Sequence, residues 1–259
     1  ERFRTFTEHR AVTPIFSIAV SNPTAAAERR AAEHLQTCLE KMFGVRLPVR
    51  SVEAAAGDWA DNAILLGRQA CLTSGRIIDD ELRYVGPGGF LINAHQGRIA
   101  IAGPDDVGTT AGVLRYLEDH GARFFEPQRT VLPDHRGEFL HELYLPDWPH
   151  FRAESADLAL WQDGPAAPAP VAALPPGQPA TPFDIAAAET LAAAIKDVAR
   201  SAGTALPPSL LQDARTSPLS RYVARRLVWD PAADATRLIR EFRSEAYRLP
   251  DTISAGAGR

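Results

Sequence analysis

Apolar positions in the first half of the chain follow two periods, and each stretch predicts one kind of element. Pro14-Ile15-Phe16-Ser17-Ile18-Ala19-Val20 is rich in β-branched residues and is closed by Ser21-Asn22-Pro23. That pattern predicts a strand running into a helix start. From Thr24 to Phe43 the period becomes helical: Leu35, Cys38, Leu39 and Met42 fall at i, i+3, i+4 and i+7, opposite Glu28, Arg29, Glu33 and Glu40. Gly44 stands where a left-handed helix end is wanted. Short strands are predicted over 47–52 and 63–66, the second closed by Gly67.

Two apolar runs, 90–94 and 98–102, are joined through Gln96-Gly97 and predict a β-hairpin. Gly103-Pro104 stops the second strand, and Asp105-Asp106 supply carboxylates suited to a helix N-terminus. The following helix is predicted to run to about His120, with Val107, Ala111, Leu114 and Leu117 facing inward and Gly121 ending it. Residues 122–125 read as one more short strand. Together these elements predict an α+β fold class, a mixed sheet with two amphipathic helices packed on one face.

After Asp147 the pattern changes. Residues 164–182 hold seven of the 21 prolines, which favours irregular backbone and builds no packed core. Beyond them, 184–200, 221–227 and 234–248 predict helices, the last with Leu238, Ile239, Phe242 and Tyr247 as its apolar stripe. The predicted organisation is an α+β domain over 1–150, a proline- and alanine-rich linker over 151–183, and a small helical tail over 184–259.

Composition narrows the function classes. At 45% hydrophobic and 23% charged, the chain is that of a globular protein, and no run of 18 apolar residues predicts a membrane span. A net charge of −4 gives no general attraction to nucleic acid. Cys38 and Cys71 cannot make a disulfide framework, and Cys38 on an apolar helix face reads as a structural thiol.

Candidate chemistry is sparse. Gly103 to Thr110 has phosphate-loop spacing, but Thr109 replaces the lysine and Asp105-Asp106 would repel phosphate. His135, Glu138 and His141 share no face of a helix or strand, so a polar turn around 134–137 is expected rather than a metal site. Asp79-Asp80-Glu81 reads as a solvated charge run. No cofactor is predicted. Trp148, Phe151 and Trp161 can stack on a sugar ring or serve packing.

A longer pattern unites these pieces. Ala26-Ala27-Glu28 through Leu35-Gln36-Thr37-Cys38-Leu39-Glu40-Lys41-Met42-Phe43-Gly44 is followed by Leu47-Pro48-Val49 and Ala63-Ile64-Leu65-Leu66-Gly67. Gly89-Phe90-Leu91-Ile92, Ile99-Ala100-Ile101-Ala102-Gly103, Gly108-Thr109-Thr110-Ala111-Gly112-Val113-Leu114 and Gly121-Ala122-Arg123-Phe124-Phe125-Glu126-Pro127 complete it. In this order the segments resemble the non-catalytic N-terminal domain of bacterial β-hexosaminidases and α-glucuronidases, and of an uncharacterised bacterial glycosidase-like family.

That resemblance implies a (β/α)₈ barrel following the domain, carbohydrate as partner, and a periplasmic or extracellular location. Pro149-His150-Phe151-Arg152 resembles the entry to such a barrel, which would make Arg152 and the neighbouring Trp148 the sugar-binding candidates. Here Arg152 follows Phe151 directly and Ala153 replaces the family's glycine. No adjacent Asp-Glu pair of the hexosaminidase kind occurs after residue 150. Tyr222 to Pro231, with Asp234 and Glu241-Phe242, resembles a segment near the end of the uncharacterised family, in which a barrel lies between the two. About 110 residues remain after the first domain, fewer than half of the roughly 250 a barrel takes.

The expectation is therefore a non-catalytic accessory domain whose catalytic barrel is largely missing. Two alternatives stand beside it. One is an active glycosidase with a shortened site using Glu154, Asp157 or Asp163. The other is a protein–protein interaction module.

Overall fold

A computed structural model describes residues 3–7, 10–15, 17–21, 26–52, 62–95, 98–126, 129–136, 140, 142–151, 184–201, 205–214 and 217–246. The chain divides into two units, one formed by residues 1–122 and 132–148, the other by 123–131 and 149–259.

The first unit is α+β. Its elements are β1 (Phe3–Thr7), β2 (Arg10–Ile15), β3 (Ser17–Val20), α1 (Ala26–Phe43), β4 (Val49–Ser51) and β5 (Ala63–Leu66). They are followed by α2 (Arg68–Thr73), α3 (Asp79–Val85), β6 (Phe90–His95), β7 (Arg98–Ala102), α4 (Asp106–Asp119) and, after residue 132, β10 (Leu143–Asp147). Six strands make one mixed sheet in the order β10-β6-β7-β5-β3-β4. The β4, β3, β5 and β7 strands run parallel, while β6 is antiparallel to β7 and β10 to β6. His95 pairs with Arg98, so the predicted hairpin forms, although Gln96 and Gly97 themselves lie outside the described residues.

Both faces of this sheet are covered, as its parallel strands require. Side chains alternate along each strand. Ala19, Leu65, Leu91, Ala100 and Ala102 meet Cys71 of α2, Leu82 of α3 and the intervening Ile77 on one face. Helices α1 and α4 pack together over the other, where Phe90 and Ile101 lie against Gly112 of α4. The predicted pair of helices on one face is present, and α2 and α3 add a second layer. Their runs of six and seven residues are too short to show a helical period.

The α1 stripe Leu35, Cys38, Leu39 and Met42 is buried throughout, and Gly44 ends the helix at φ 76°. Burial pushes the Cys38 thiol up to about 12 and raises Cys71 as well, so both stay protonated and inert.

Glycines set the spacing between α4 and the sheet. A Cβ on Gly108 would lie 1.9 Å from the Gly89 carbonyl oxygen, and one on Gly103 would lie 2.6 Å from Gly108. One on Gly89 would meet the Val85 carbonyl oxygen at 2.4 Å. Asp105 completes the junction: its carboxylate accepts from the Gly108 N–H at 2.7 Å, capping α4, and from the Gly88 N–H at 2.9 Å.

Two local expectations are corrected, and one strand is added. The apolar run 14–20 is not one strand: its first part belongs to β2, which pairs with β1 in a separate hairpin, and β3 begins at Ser17. Pro14 lacks an N–H, which suits this two-stranded ribbon better than a central strand. The 122–125 run does not join the six-stranded sheet either; β8 (Arg123–Glu126) pairs only with β9 (Arg129–Val131) and belongs to the second unit. Strand β10 forms although Pro146 argues against it, because it sits at the sheet edge, where proline is tolerated.

The second unit contains the β8–β9 hairpin with α5 (Ile185–Arg200), α6 (Pro208–Ala214), α7 (Pro218–Trp229) and α8 (Ala235–Glu241). Asp184, Ser217 and Asp234 cap α5, α7 and α8 with side-chain oxygens. After Glu241 the last helix widens into a π-helical turn over Phe242–Ala246, and the rest of the expected run, 247–248 with Tyr247, lies outside the described residues. Its core gathers Phe125, whose ring lies 5.2 Å from Tyr222 and 5.8 Å from Phe242, with Phe151, Leu191, Ile195 and Leu227 buried around them. Arg225 donates to the Phe124 carbonyl and Arg123 pairs with Glu241 at 3.4 Å, joining hairpin to helices. The proline-rich linker lies outside the described residues.

Gly108→Ala is expected to unfold the first unit or cost at least about 3 kcal/mol, because the new methyl meets fixed backbone. Gly75, at φ 67° with open space around its Cβ position, should cost about 1 kcal/mol on the same change. Urea unfolding of both variants checks the difference.

His34 gives a pH prediction. Burial lowers its pKa from the usual 6.5 to about 4. The unfolded chain therefore binds a proton in a window where the folded chain does not. Stability should be full above about pH 6.5 and fall as pH drops toward 4, by at most about 3 kcal/mol. His34→Gln should flatten that slope in denaturant titrations run across the window.

Candidate functional site

Among the described residues, most charged groups flagged in the sequence are spent on structure. Asp79, Asp80 and Glu81 form the first turn of α3, where the helix dipole favours carboxylates. Asp79 pairs with Arg68 at 2.6 Å and Arg83 at 2.7 Å, and the Arg68 hydrogen bond foremost holds its carboxyl below the usual range. Glu81 accepts from the Ile78 N–H at 2.9 Å, a half capping box. Asp105 occupies the α4 N-terminus that a phosphate would need, and the Thr109 hydroxyl accepts from the Gly103 N–H at 3.0 Å.

His135 is not simply a surface turn residue. Its ring lies 5.5 Å from Phe43 and its Nε2 is 2.8 Å from the His120 carbonyl. Glu138 and His141 lie outside the described residues, and no three metal-binding side chains gather among the described ones. No described helix is long and apolar enough to cross a membrane.

What remains unspent is aromatic. In β10, Tyr144 pairs with Asn93 and Pro146 with Leu91, so Tyr144, Pro146 and the following Trp148 project to the α3 side of the sheet. Tyr84, three residues after Glu81 on α3, meets Trp148 with ring centroids 5.4 Å apart and planes at 84°. The Tyr144 hydroxyl donates to the other Glu81 oxygen at 3.2 Å. Tyr84, Tyr144 and Trp148 are 72%, 60% and 45% exposed, although buried aromatics serve packing elsewhere in the chain. Helix α3 is anchored beneath them by buried Leu82 and Val85, and β10 is paired to β6 along its length. The result is an edge-to-face aromatic corner carrying a carboxylate.

Trp148, named from the sequence, is part of this corner. Arg152, Glu154, Asp157, Asp163 and Trp161 lie outside the described residues, while Phe151 is buried in the second unit's core. Tyr84 and Tyr144 were not picked out from the sequence, and Glu81 reads there only as part of the Asp79-Asp80-Glu81 charge run. The usable signal was Tyr144, Pro146 and Trp148 at every second position, and it is readable only once a strand is accepted through Pro146.

No protein-family model matches the chain, and no curated protein sequence matches it.

Partial burial, and then the Glu81 charge, raise the Tyr144 phenol above its usual value near 10. Glu81→Gln should lower it again, read as a shift in the phenolate absorbance titration that vanishes in Tyr144→Phe.

Proposed function

We propose that this chain is a glycoside hydrolase-related protein consisting of the non-catalytic accessory domain and a helical remnant, with the catalytic barrel largely missing. One observation carries the reading. The segments that resemble the accessory domain are the ones on which the packing of the first unit depends. Gly89, Gly103, Gly108 and Gly112 stand where a Cβ would collide with backbone or core side chains. Gly44, Gly67 and Gly121 take positive φ at the ends of α1, β5 and α4. A pattern that meets these steric demands in sequence order carries more weight than a chance run of glycines.

The chemistry agrees with a binding or scaffolding role in carbohydrate metabolism. Both thiols are buried and protonated. The acidic cluster of α3 begins a helix and holds guanidinium groups. Among the described residues, four of the five exposed large apolar side chains gather at one corner whose rings suit stacking on a ligand.

The full chain should not release nitrophenol from nitrophenyl hexosaminides or uronides above the buffer rate. Turnover that disappears on Glu154→Gln or Asp163→Asn would overturn the proposal in favour of a shortened active site.

A further inference from the structure

Among the described residues, five large apolar side chains are exposed, and four of them, Ile78, Tyr84, Tyr144 and Trp148, belong to α3, the residue before it, and β10 with the residue after it. We propose that this corner binds a neutral glycan, with the Tyr84 and Trp148 rings as stacking walls and the Tyr144–Glu81 pair as the hydrogen-bonding edge. The proposal rests on the carbohydrate-related reading above and adds to it a place and a ligand class.

Shape comes first. The two rings meet edge to face with planes at 84° and both are exposed, so a pyranose can lay its C–H face on one ring beside the other. The C–H bonds meet the electron-rich ring face, as they do in edge-to-face aromatic pairs. Tyrosine and tryptophan hold this geometry at low entropic cost because each has only two side-chain torsions. Both stand on hydrogen-bonded backbone or directly beside it.

Charge selects the class of sugar. Asp79, Asp80, Glu81 and Asp147 surround the corner against Arg68 and Arg83, leaving it net negative. Carboxylates accept hydrogen bonds from sugar hydroxyls. The same carboxylates repel uronates and sulfated glycans, so neutral hexose or N-acetylhexosamine chains fit and acidic chains do not.

Size argues against a protein partner. Three rings at about 150–250 Å² each, incompletely exposed, fall short of the roughly 800 Å² per partner that a stable protein interface buries. An oligosaccharide of a few units needs no more than such a corner.

The test uses the full chain with β-linked glucose and N-acetylglucosamine tetrasaccharides, and with tetragalacturonate, by titration calorimetry. At least one neutral tetrasaccharide should bind with a Kd on the order of 1 mM or tighter. Trp148→Ala and Tyr84→Ala should each weaken it about tenfold, with thermal midpoints close to the parent because both side chains are exposed. Tetragalacturonate should bind at least about tenfold more weakly than the neutral chain. Tyr144→Phe, which keeps the ring and removes the hydroxyl, should weaken binding without changing the fold.

Failure of both neutral sugars to bind at about 10 mM would overturn the proposal. So would affinity that is indifferent to both ring variants, or preference for the uronate. A light-scattering mass that rises with concentration and is lost in Trp148→Ala, with no sugar bound, would instead mark a protein-docking face. Hydrolysis of the nitrophenyl substrates would sink the accessory-domain reading alone, whereas absent binding with absent hydrolysis would sink only the aromatic corner.

Discussion

The first unit is organised around a place where two backbones touch. Helix α4 begins so near the start of β6 that Gly108 has no room for a methyl group beside the Gly89 carbonyl. Gly103 at the end of β7 and Gly112 one turn into the helix repeat the constraint, against Gly108 and against Ile101 and Phe90. Such contacts are all or nothing, since a close-packed interior does not yield by half an ångström without cost. Asp105 turns the steric fit into a directed one, because its two oxygens bind N–H groups from both sides of the junction. A charged acceptor on backbone donors is among the stronger hydrogen bonds a protein makes.

The consequence reaches the opposite layer. Gly86 to Gly89 is the turn between α3 and β6, closed by a Gly89 N–H to Gly86 carbonyl bond of 3.0 Å. Gly89 also has no space on its other side, where the Val85 carbonyl stands at the end of α3. The same few atoms therefore place α4 on one face of the sheet and α3 on the other. Tyr84 precedes Val85 on that helix, and its position relative to Trp148 follows from the junction rather than from the contact between the rings. An exposed ring pair is worth only about 0.5–1.5 kcal/mol beyond its buried area, too little to hold a helix in place by itself.

Long amphipathic elements were legible in the sequence because their periods are unambiguous. The α1 stripe, the β6–β7 pairing and the Asp105 cap all appear as the patterning predicts. What escaped were short or punctuated elements. Helices α2 and α3 are too brief to display a period, and Pro146 hid an edge strand that tolerates it. The run through Pro14 spread over two sheets, which no pattern within one segment can express. The candidate corner was half legible for the same reason: Trp148 is conspicuous anywhere, whereas Tyr84 and Tyr144 acquire meaning only from a helix and a strand that local signals miss.

The second unit closes its own apolar core. Its core is built from residues far apart in sequence, with Phe125 of the β8–β9 hairpin packed on Tyr222 and Phe242. Arg225 and Arg123 tie the same hairpin to α7 and the end of α8. Residues on either side of the proline-rich segment thus close one apolar cluster. The apolar stripe of each described helix contributes to a shared core, and Asp184, Ser217 and Asp234 cap α5, α7 and α8. The helices of the second unit thus satisfy the ordinary requirements of a folded unit, with a shared apolar core and capped ends.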